Sequence, residues 1–253
     1  MAMQGVNFSI INQAAWAPGL TTPQAWRDWA GQPSVISRAG QAEPGVAPMP
    51  AMLRRRAGFL GKMALEVAYQ CLEQRRDVPS VFVSRHGDVE RVVGLLGELA
   101  RGEPLSPTGF GMAVHNAHAG LFSIARADQA QHIALAAGAS GIEHAVIEAC
   151  GLLADGAPLV LLVVSDCALP APLEKFADCD EQPHAWAWLM APAGVDPISL
   201  SWSGADADAD PCESERVPAG LAIQRFYLNL QAGRARRLER LADRRRWCWA
   251  RGA

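Results

Sequence analysis

Residues 132–166, HIALAAGASGIEHAVIEACGLLADGAPLVLLVVSD, constrain the architecture more tightly than any other part of the chain. A short apolar run, HIALAA, reaches Gly138, and small and aliphatic residues then continue to Asp155-Gly156. The run that follows, LVLLVVSD, is apolar at nearly every position, which marks a strand buried inside a sheet rather than one with a wet face. Strand, tight turn, helix and strand make a crossover unit, so parallel strands covered by helices are expected. The most apolar stretch, APLVLLVV at 157–164, is far shorter than the roughly 20 residues needed to cross a bilayer.

The flanking sequence fits the same α/β plan. Residues 6–12 (VNFSIIN) and 81–84 (VFVS) read as strands, whereas 14–50, broken by Pro33, Pro44, Pro48 and Pro50, reads as irregular chain with short helices. In 51–76, Leu60, Met63, Ala64, Val67, Ala68 and Cys71 recur at helical spacing, predicting a helix that stops near Asp77-Val78-Pro79. A second helix is expected between Asp88 as N-cap and Gly102 as C-cap, and 105–124 opens as a Pro/Gly loop before a helix of small residues. Residues 185–191 (AWAWLMA) and 197–202 (PISLSW) alternate like two strands and are candidates for pairing with each other. Asp206, Asp208, Asp210, Glu213 and Glu215 predict an exposed acidic loop. From Leu221 the chain reads as helical, so the expected layout is one α/β domain over 1–220 and a basic, arginine-rich helical segment over 221–253.

With 253 residues, half of them apolar, 19% charged and a net charge of −3, the chain can build a substantial core and is neither disordered nor a disulfide-stapled miniprotein. Its six cysteines (Cys71, Cys150, Cys167, Cys179, Cys212, Cys248) are widely spaced, without a C-x-x-C pair. The N-terminal MAMQGVNFSIINQAAWAPG lacks a basic leader followed by an apolar core. Reduced thiols and a cytoplasmic location are therefore expected, and structural zinc is not.

At Ala137-Gly138-Ala139-Ser140-Gly141 such a fold aims backbone N–H groups and a helix dipole at whatever sits there. A hydrolase elbow requires G-x-S-x-G, but Ile142 stands where the second glycine belongs. A dinucleotide loop requires G-x-G-x-x-G near the first crossover, and only Gly138 and Gly141 are present, deep in the chain. As plain structure, the glycines would let helix and sheet pack closely. Ser140 and His144, four apart on the expected helix, could hydrogen-bond, yet a catalytic pair would also need an orienting group. His115 and His118 could face one way on a helix, but no third ligand is recognisable nearby and no metal is expected.

The run from 105 to 166 resembles the core of the beta-ketoacyl synthase N-terminal domain, of the thiolase fold. Asn116 and Gly120 match the Asn-x-x-x-Gly pattern that precedes the family's active-site strand, and the helix and apolar strand after the turn keep the family's order. VFVSRHGDVER is similar to the preceding strand-helix unit, and VHNAHAGLFSI is similar in wording to the short chain-length-factor-like proteins of aryl polyene synthesis. The resemblance implies a thiolase-like half-fold, a mixed sheet covered by helices. One departure matters most: where the family's Thr-Ala-Cys turn carries the nucleophile, this chain has Gly138, or Ala137 or Ala139 if the match is shifted by one, and none of these can form an acyl-enzyme bond. The His-Gly-Thr and Asn-Ser-x-x-Gly-His phrases of the family's catalytic histidines are also missing, and His184 is the only histidine after Asp166.

A ketosynthase-like chain without these groups implies a non-catalytic subunit with no cofactor. It would pair, like a chain length factor, with a true ketosynthase in fatty acid or aryl polyene polyketide synthesis. The partner would hold the growing acyl chain while this subunit shapes the tunnel, with His115, Asn116, His118, Gly120, Phe122, Gly138 and Ser140 as candidates for the interface or tunnel wall. The terminal cluster Arg234, Arg236, Arg237, Arg240, Arg244, Arg245, Arg246 and Arg251, with Trp247 and Trp249, could meet an acidic protein, an anionic membrane or nucleic acid. The slightly negative overall charge argues against nucleic acid. Acyl carrier proteins of the family are acidic, so Arg244, Arg245 and Arg246 are the expected carrier-docking residues. Two other functions remain open from sequence: a divergent acyl-transferring enzyme using Ser140 or another residue, and a stand-alone acyl-binding protein.

Overall fold

The computed structural model describes residues 4–40, 42–205 and 216–252. In chain order the elements are β1 (Gln4–Trp16), α1 (Pro23–Gly31), α2 (Ala51–Arg54), α3 (Phe59–Leu72), β2 (Ser80–Val83), α4 (Val89–Ala100), α5 (Pro107–Gly111) and α6 (Ala117–Arg126). They continue as β3 (His132–Leu135), α7 (Gly141–Ala154), β4 (Val160–Asp166), β5 (His184–Pro192), β6 (Ile198–Gly204), α8 (Ala219–Gln231), β7 (Arg237–Ala242) and β8 (Arg245–Arg251). One eight-stranded sheet runs in the order β3-β2-β4-β5-β1-β6-β8-β7. β2 is parallel to both β3 and β4, and the remaining pairs are antiparallel.

Side-chain size along the central strands decides how the helices pack. In β5 the residues of one face are Trp186, Trp188 and Met190, and those of the other are Ala185, Ala187 and Leu189, all fully buried. The large face packs in a core with α1, α7, α8 and the indoles of Trp247 and Trp249. The smaller face lets α3 lie close, with Leu60, Met63, Ala64, Val67 and Ala68 against Leu161 and Val163 of β4. Both faces are thus covered, as the uninterrupted apolar character of β4 demands.

The expected crossover is present: β3, the Gly138 turn, α7 and β4 follow in sequence. Asp88 caps α4 by accepting a hydrogen bond from the Arg91 amide, and Gly102 beyond its end adopts φ +70°. The helix expected over 51–76 is instead two, α2 and α3, because Gly58 takes an extended conformation and serves as the N-cap of α3.

Two expectations are corrected. β5 and β6 do not pair with each other, because β1 lies between them, meeting β6 along Gln4–Phe8 and β5 along Phe8–Trp16. Alternation identifies a strand but not its neighbour. The C-terminal segment is not a basic helix: α8 ends at Gln231, and Arg237–Arg251 form a β-hairpin paired through β8 to β6, inside the same domain. Trp247 and Trp249, two apart and both fully buried, hold β8 to the core, as the two-residue period of a strand requires. The acidic loop expected around Asp206–Glu215 lies outside the described residues.

Candidate functional site

The parallel strands β2, β3 and β4 direct their C-terminal ends to one side of the sheet, where open α/β folds place ligands. Three features gather there: Ser84-Arg85 after β2, the Gly138 turn after β3, and Asp166 at the end of β4. They border a small cavity lined among others by Val83, Arg85, Gly138, Ile142, Asp166 and His184.

Gly138 opens a single 3₁₀ turn (Gly138–Ser140) that runs directly into α7, and its φ of +60° lies in the left-handed region. The residue is exposed, but the space before it is not empty. A Cβ on Gly138 would lie 3.5 Å from both carboxylate oxygens of Asp243, which reaches in from the β7–β8 turn. Asp243 Oδ2 accepts hydrogen bonds from the Ser140 amide at 2.9 Å and from the Ser140 hydroxyl at 2.5 Å. A carboxylate is well placed there, since amides at the start of a helix favour negative charge.

Ser140 and His144 do meet, with Oγ and Nδ1 3.2 Å apart. The arrangement is nevertheless unlike a nucleophile and its base. Ser140 is fully buried and its hydroxyl proton is directed to Asp243. His144 Nδ1 lies 2.9 Å from the Ser140 carbonyl oxygen, to which it must donate, leaving that nitrogen no lone pair with which to accept a proton.

The hairpin is fastened a second time. Arg240 pairs with the fully buried Glu143 of α7, and its other guanidinium nitrogen donates to the Ala139 carbonyl at 3.1 Å. Trp249 Nε1 donates to the same Glu143 oxygen at 3.3 Å. Trp247 packs edge-on against His144, with ring centroids 5.3 Å apart.

Deeper in the cavity, Asp166 accepts hydrogen bonds from the Arg85 amide at 2.7 Å and the Ser84 hydroxyl at 3.0 Å. Burial raises its pKa despite these bonds and the nearby His184. Burial lowers that of His184, whose Nδ1 donates to the Gln182 carbonyl at 2.8 Å. His86 and Glu181 form a further pair at 2.9 Å. The cysteine thiols described near this part of the fold are not activated. Burial pushes Cys150 up to about 12 and Cys179 up to about 11, and it raises Cys167 further, so all three stay protonated near neutral pH.

The other sequence candidates are dispersed. Asn116 is exposed, Gly120 is half-buried with open space beside it, and His115 Nε2 lies 3.0 Å from the Leu135 carbonyl at the end of β3. Phe122 is buried against Tyr69 and Phe82, within the core beneath α6. Arg244, Arg245 and Arg246 are exposed at the hairpin tip, where Arg246 pairs with Glu239 at 3.2 Å. Arg244 and Arg245 have no acidic partner among the described residues. Sequence reasoning missed Asp243 and the placement of the buried His184 opposite Asp166 on neighbouring strands. Asp166, a carboxylate ending an apolar run, was the one local clue.

His118 is buried between α6 and α3, so near Gly61 that a Cβ there would fall 2.5 Å from its ring. Burial depresses its pKa to about 4, outweighing the opposing attraction of Asp88. A histidine depressed in this way contributes stability that is present above its unfolded pKa, near 6.5, and is lost as pH falls toward about 4. We expect this group to cost about 2 kcal/mol between neutral pH and about pH 5. Thermal melts of His118→Gln, which stays neutral, should show a shallower loss over that interval, and parallel curves for the two proteins would refute the assignment.

Residues 26–250 match the family described as beta-ketoacyl synthase, N-terminal domain. No curated protein matches the sequence significantly. Among solved structures, the chain is similar to one from the ketosynthase ApeO in complex with its chain length factor ApeC from Xenorhabdus doucetiae, with 25% identity and a TM-score of 0.83, over 97% of this chain and 100% of that one. It also resembles a chain of the ishigamide ketosynthase/chain length factor, at 13% identity and a TM-score of 0.69, over 98% and 100% of the two chains. A beta-ketoacyl synthase from Burkholderia phymatum matches in fold at 14% identity and a TM-score of 0.59, over 92% of this chain and 71% of that one. Among the described residues, no helix is long and apolar enough to cross a membrane.

Proposed function

This chain belongs to the beta-ketoacyl synthase N-terminal domain family, and on that premise we propose that it is a chain-length-factor-like subunit with no acyl chemistry of its own. It pairs with a catalytic ketosynthase and shapes the acyl tunnel in fatty acid or aryl polyene polyketide synthesis. The observation that carries this reading is the turn itself. Gly138, which the sequence resemblance aligns with the family's nucleophilic cysteine, has the Asp243 carboxylate before it, and the Cys179 thiol lining the same cavity is held protonated by burial.

The two sheet edges support a partner of this kind. β7, on one edge, carries Arg237, Glu239 and Arg240, and charges on an edge strand discourage further pairing. β3, on the other, carries no Asp, Glu, Lys or Arg (HIAL). On α6, which packs against β3, Ile124 is exposed, as are Phe110 and Val114 in the segment before α6 and Leu96 and Leu99 of α4, which buries none of its residues despite an amphipathic sequence. The His115–Leu135 hydrogen bond ties the loop before α6 to this edge. A bare strand edge flanked by exposed apolar side chains fits a protein partner that continues the sheet. Arg244 and Arg245, projecting from the hairpin tip beside the Gly138 turn, suit an acidic carrier protein that delivers substrate to the pair.

The chemical half of this reading has a direct test. Incubated alone with an acyl thioester, the purified chain should gain no covalent acyl mass, while a catalytic ketosynthase treated in parallel should gain one acyl group. A stable adduct on any residue of this chain would establish the acyl-transferring enzyme instead.

A further inference from the structure

The β7–β8 turn spans only two residues, Asp243 and Arg244, and both adopt positive φ, +50° and +58°. Turns of this kind favour Asn, Asp or Gly, so an arginine at the second position sits in a conformation that it rarely adopts. The hairpin keeps this form while anchored on both sides of the turn, by Arg240 to Glu143 and Ala139 and by Trp247 against His144. Its geometry delivers one carboxylate to the amide and hydroxyl of Ser140, directly before Gly138.

We propose that Asp243 is a built-in anionic ligand of the Gly138 turn, occupying the place where an acyl oxyanion would otherwise bind. The chain is then closed to acyl thioesters twice over, by the missing thiol and by a carboxylate that repels any anion formed there. A cysteine placed at the turn would not by itself restore a reactive site. The inference rests on Gly138 marking the nucleophile position, but not on the existence of a partner.

Alkylation of an introduced thiol by iodoacetamide separates these cases. In that reaction the thiolate introduced by Gly138→Cys forms a carbon–sulfur bond as the carbon–iodine bond breaks and iodide leaves, the thiol proton having gone to solvent. The full-length Gly138→Cys protein and the Gly138→Cys/Asp243→Asn double variant would be compared at about pH 8, with modification at position 138 followed by peptide mass. Asn keeps the shape of Asp243 and an acceptor for Ser140 but removes the charge. We expect the double variant to react about tenfold faster, the change that accompanies one unit in thiol pKa. A Gly138→Cys/Glu239→Gln variant, altered on the same hairpin away from the turn, should react like Gly138→Cys. Equal rates with and without the Asp243 charge would overturn the proposal. Should the new side chain strain the left-handed position enough to unfold the chain, Gly138→Asn/Asp243→Gly against Gly138→Asn offers a second readout, because glycine tolerates the positive φ at 243 and removes the acceptor altogether. If the carboxylate fills the turn, only the charge-free pair should bind added phosphate at the vacated amides, seen as a rise in melting temperature. A rise of equal size in both would count against the proposal. Loss of partner binding would sink the pairing function without changing either result.

Discussion

Replacing Arg240 with alanine is expected to cost about 3–5 kcal/mol of folding stability, because it strands a buried charge. Glu143 is fully buried, and its carboxylate meets two donors, the Arg240 guanidinium and the Trp249 indole. The indole is neutral, so Arg240 alone balances the charge. It also satisfies the Ala139 carbonyl in the turn before α7. Lysine would keep the charge but could not serve both acceptors with one planar fork, so Arg240→Lys should recover only part of the loss. An Arg240→Met/Glu143→Leu double variant should be far more stable than Arg240→Ala, since no uncompensated charge remains. Denaturant unfolding of the four proteins checks this. A cost below about 1 kcal/mol for Arg240→Ala would show that the pair is weakly held.

The second large effect concerns association rather than folding. Ile124 is 68% exposed and Phe110 66% exposed, so a glutamate at either position costs little in the isolated chain. In the assembly with a ketosynthase the same positions would be dry. A carboxylate buried there without a partner should weaken the complex at least about a hundredfold, or about 3 kcal/mol. Glutamate at Val195, which is 88% exposed between β5 and β6 on the far side of β1, is the matched control and should leave affinity unchanged. Equal affinity in all three variants would place the partner elsewhere on the surface.

Both predictions depend on features of very different visibility in the sequence. The crossover around Gly138 could be read because everything that defines it is local: an apolar run, a glycine at a left-handed turn, a helix of small residues and a second apolar run. The α4 cap at Asp88 was legible for the same reason. The order of the antiparallel strands was not, since β1 pairs with strands far along the chain and alternation is silent about partners. Asp243 meets Ser140 across 103 positions, and nothing near either residue announces the contact. The C-terminal hairpin was legible in principle. Trp247 and Trp249 repeat at the period of a strand, and they were the local signal against extending the helix from Leu221 to the end of the chain. His118 and Phe122, candidates for the interface or tunnel wall, have side chains that fill the packing beneath α6, a placement that the motif wording alone does not reveal.

The central claim, that this chain works as the acyl-inert half of a ketosynthase pair, is tested most directly by producing it together with the ketosynthase of its native host. The purified product would be sized by gel filtration, then weighed by intact mass after acyl-thioester treatment. We predict a stoichiometric heteromer in which the acyl group is found only on the partner's cysteine. A chain that elutes alone as a monomer or homodimer, or that carries the acyl group itself, would contradict the account.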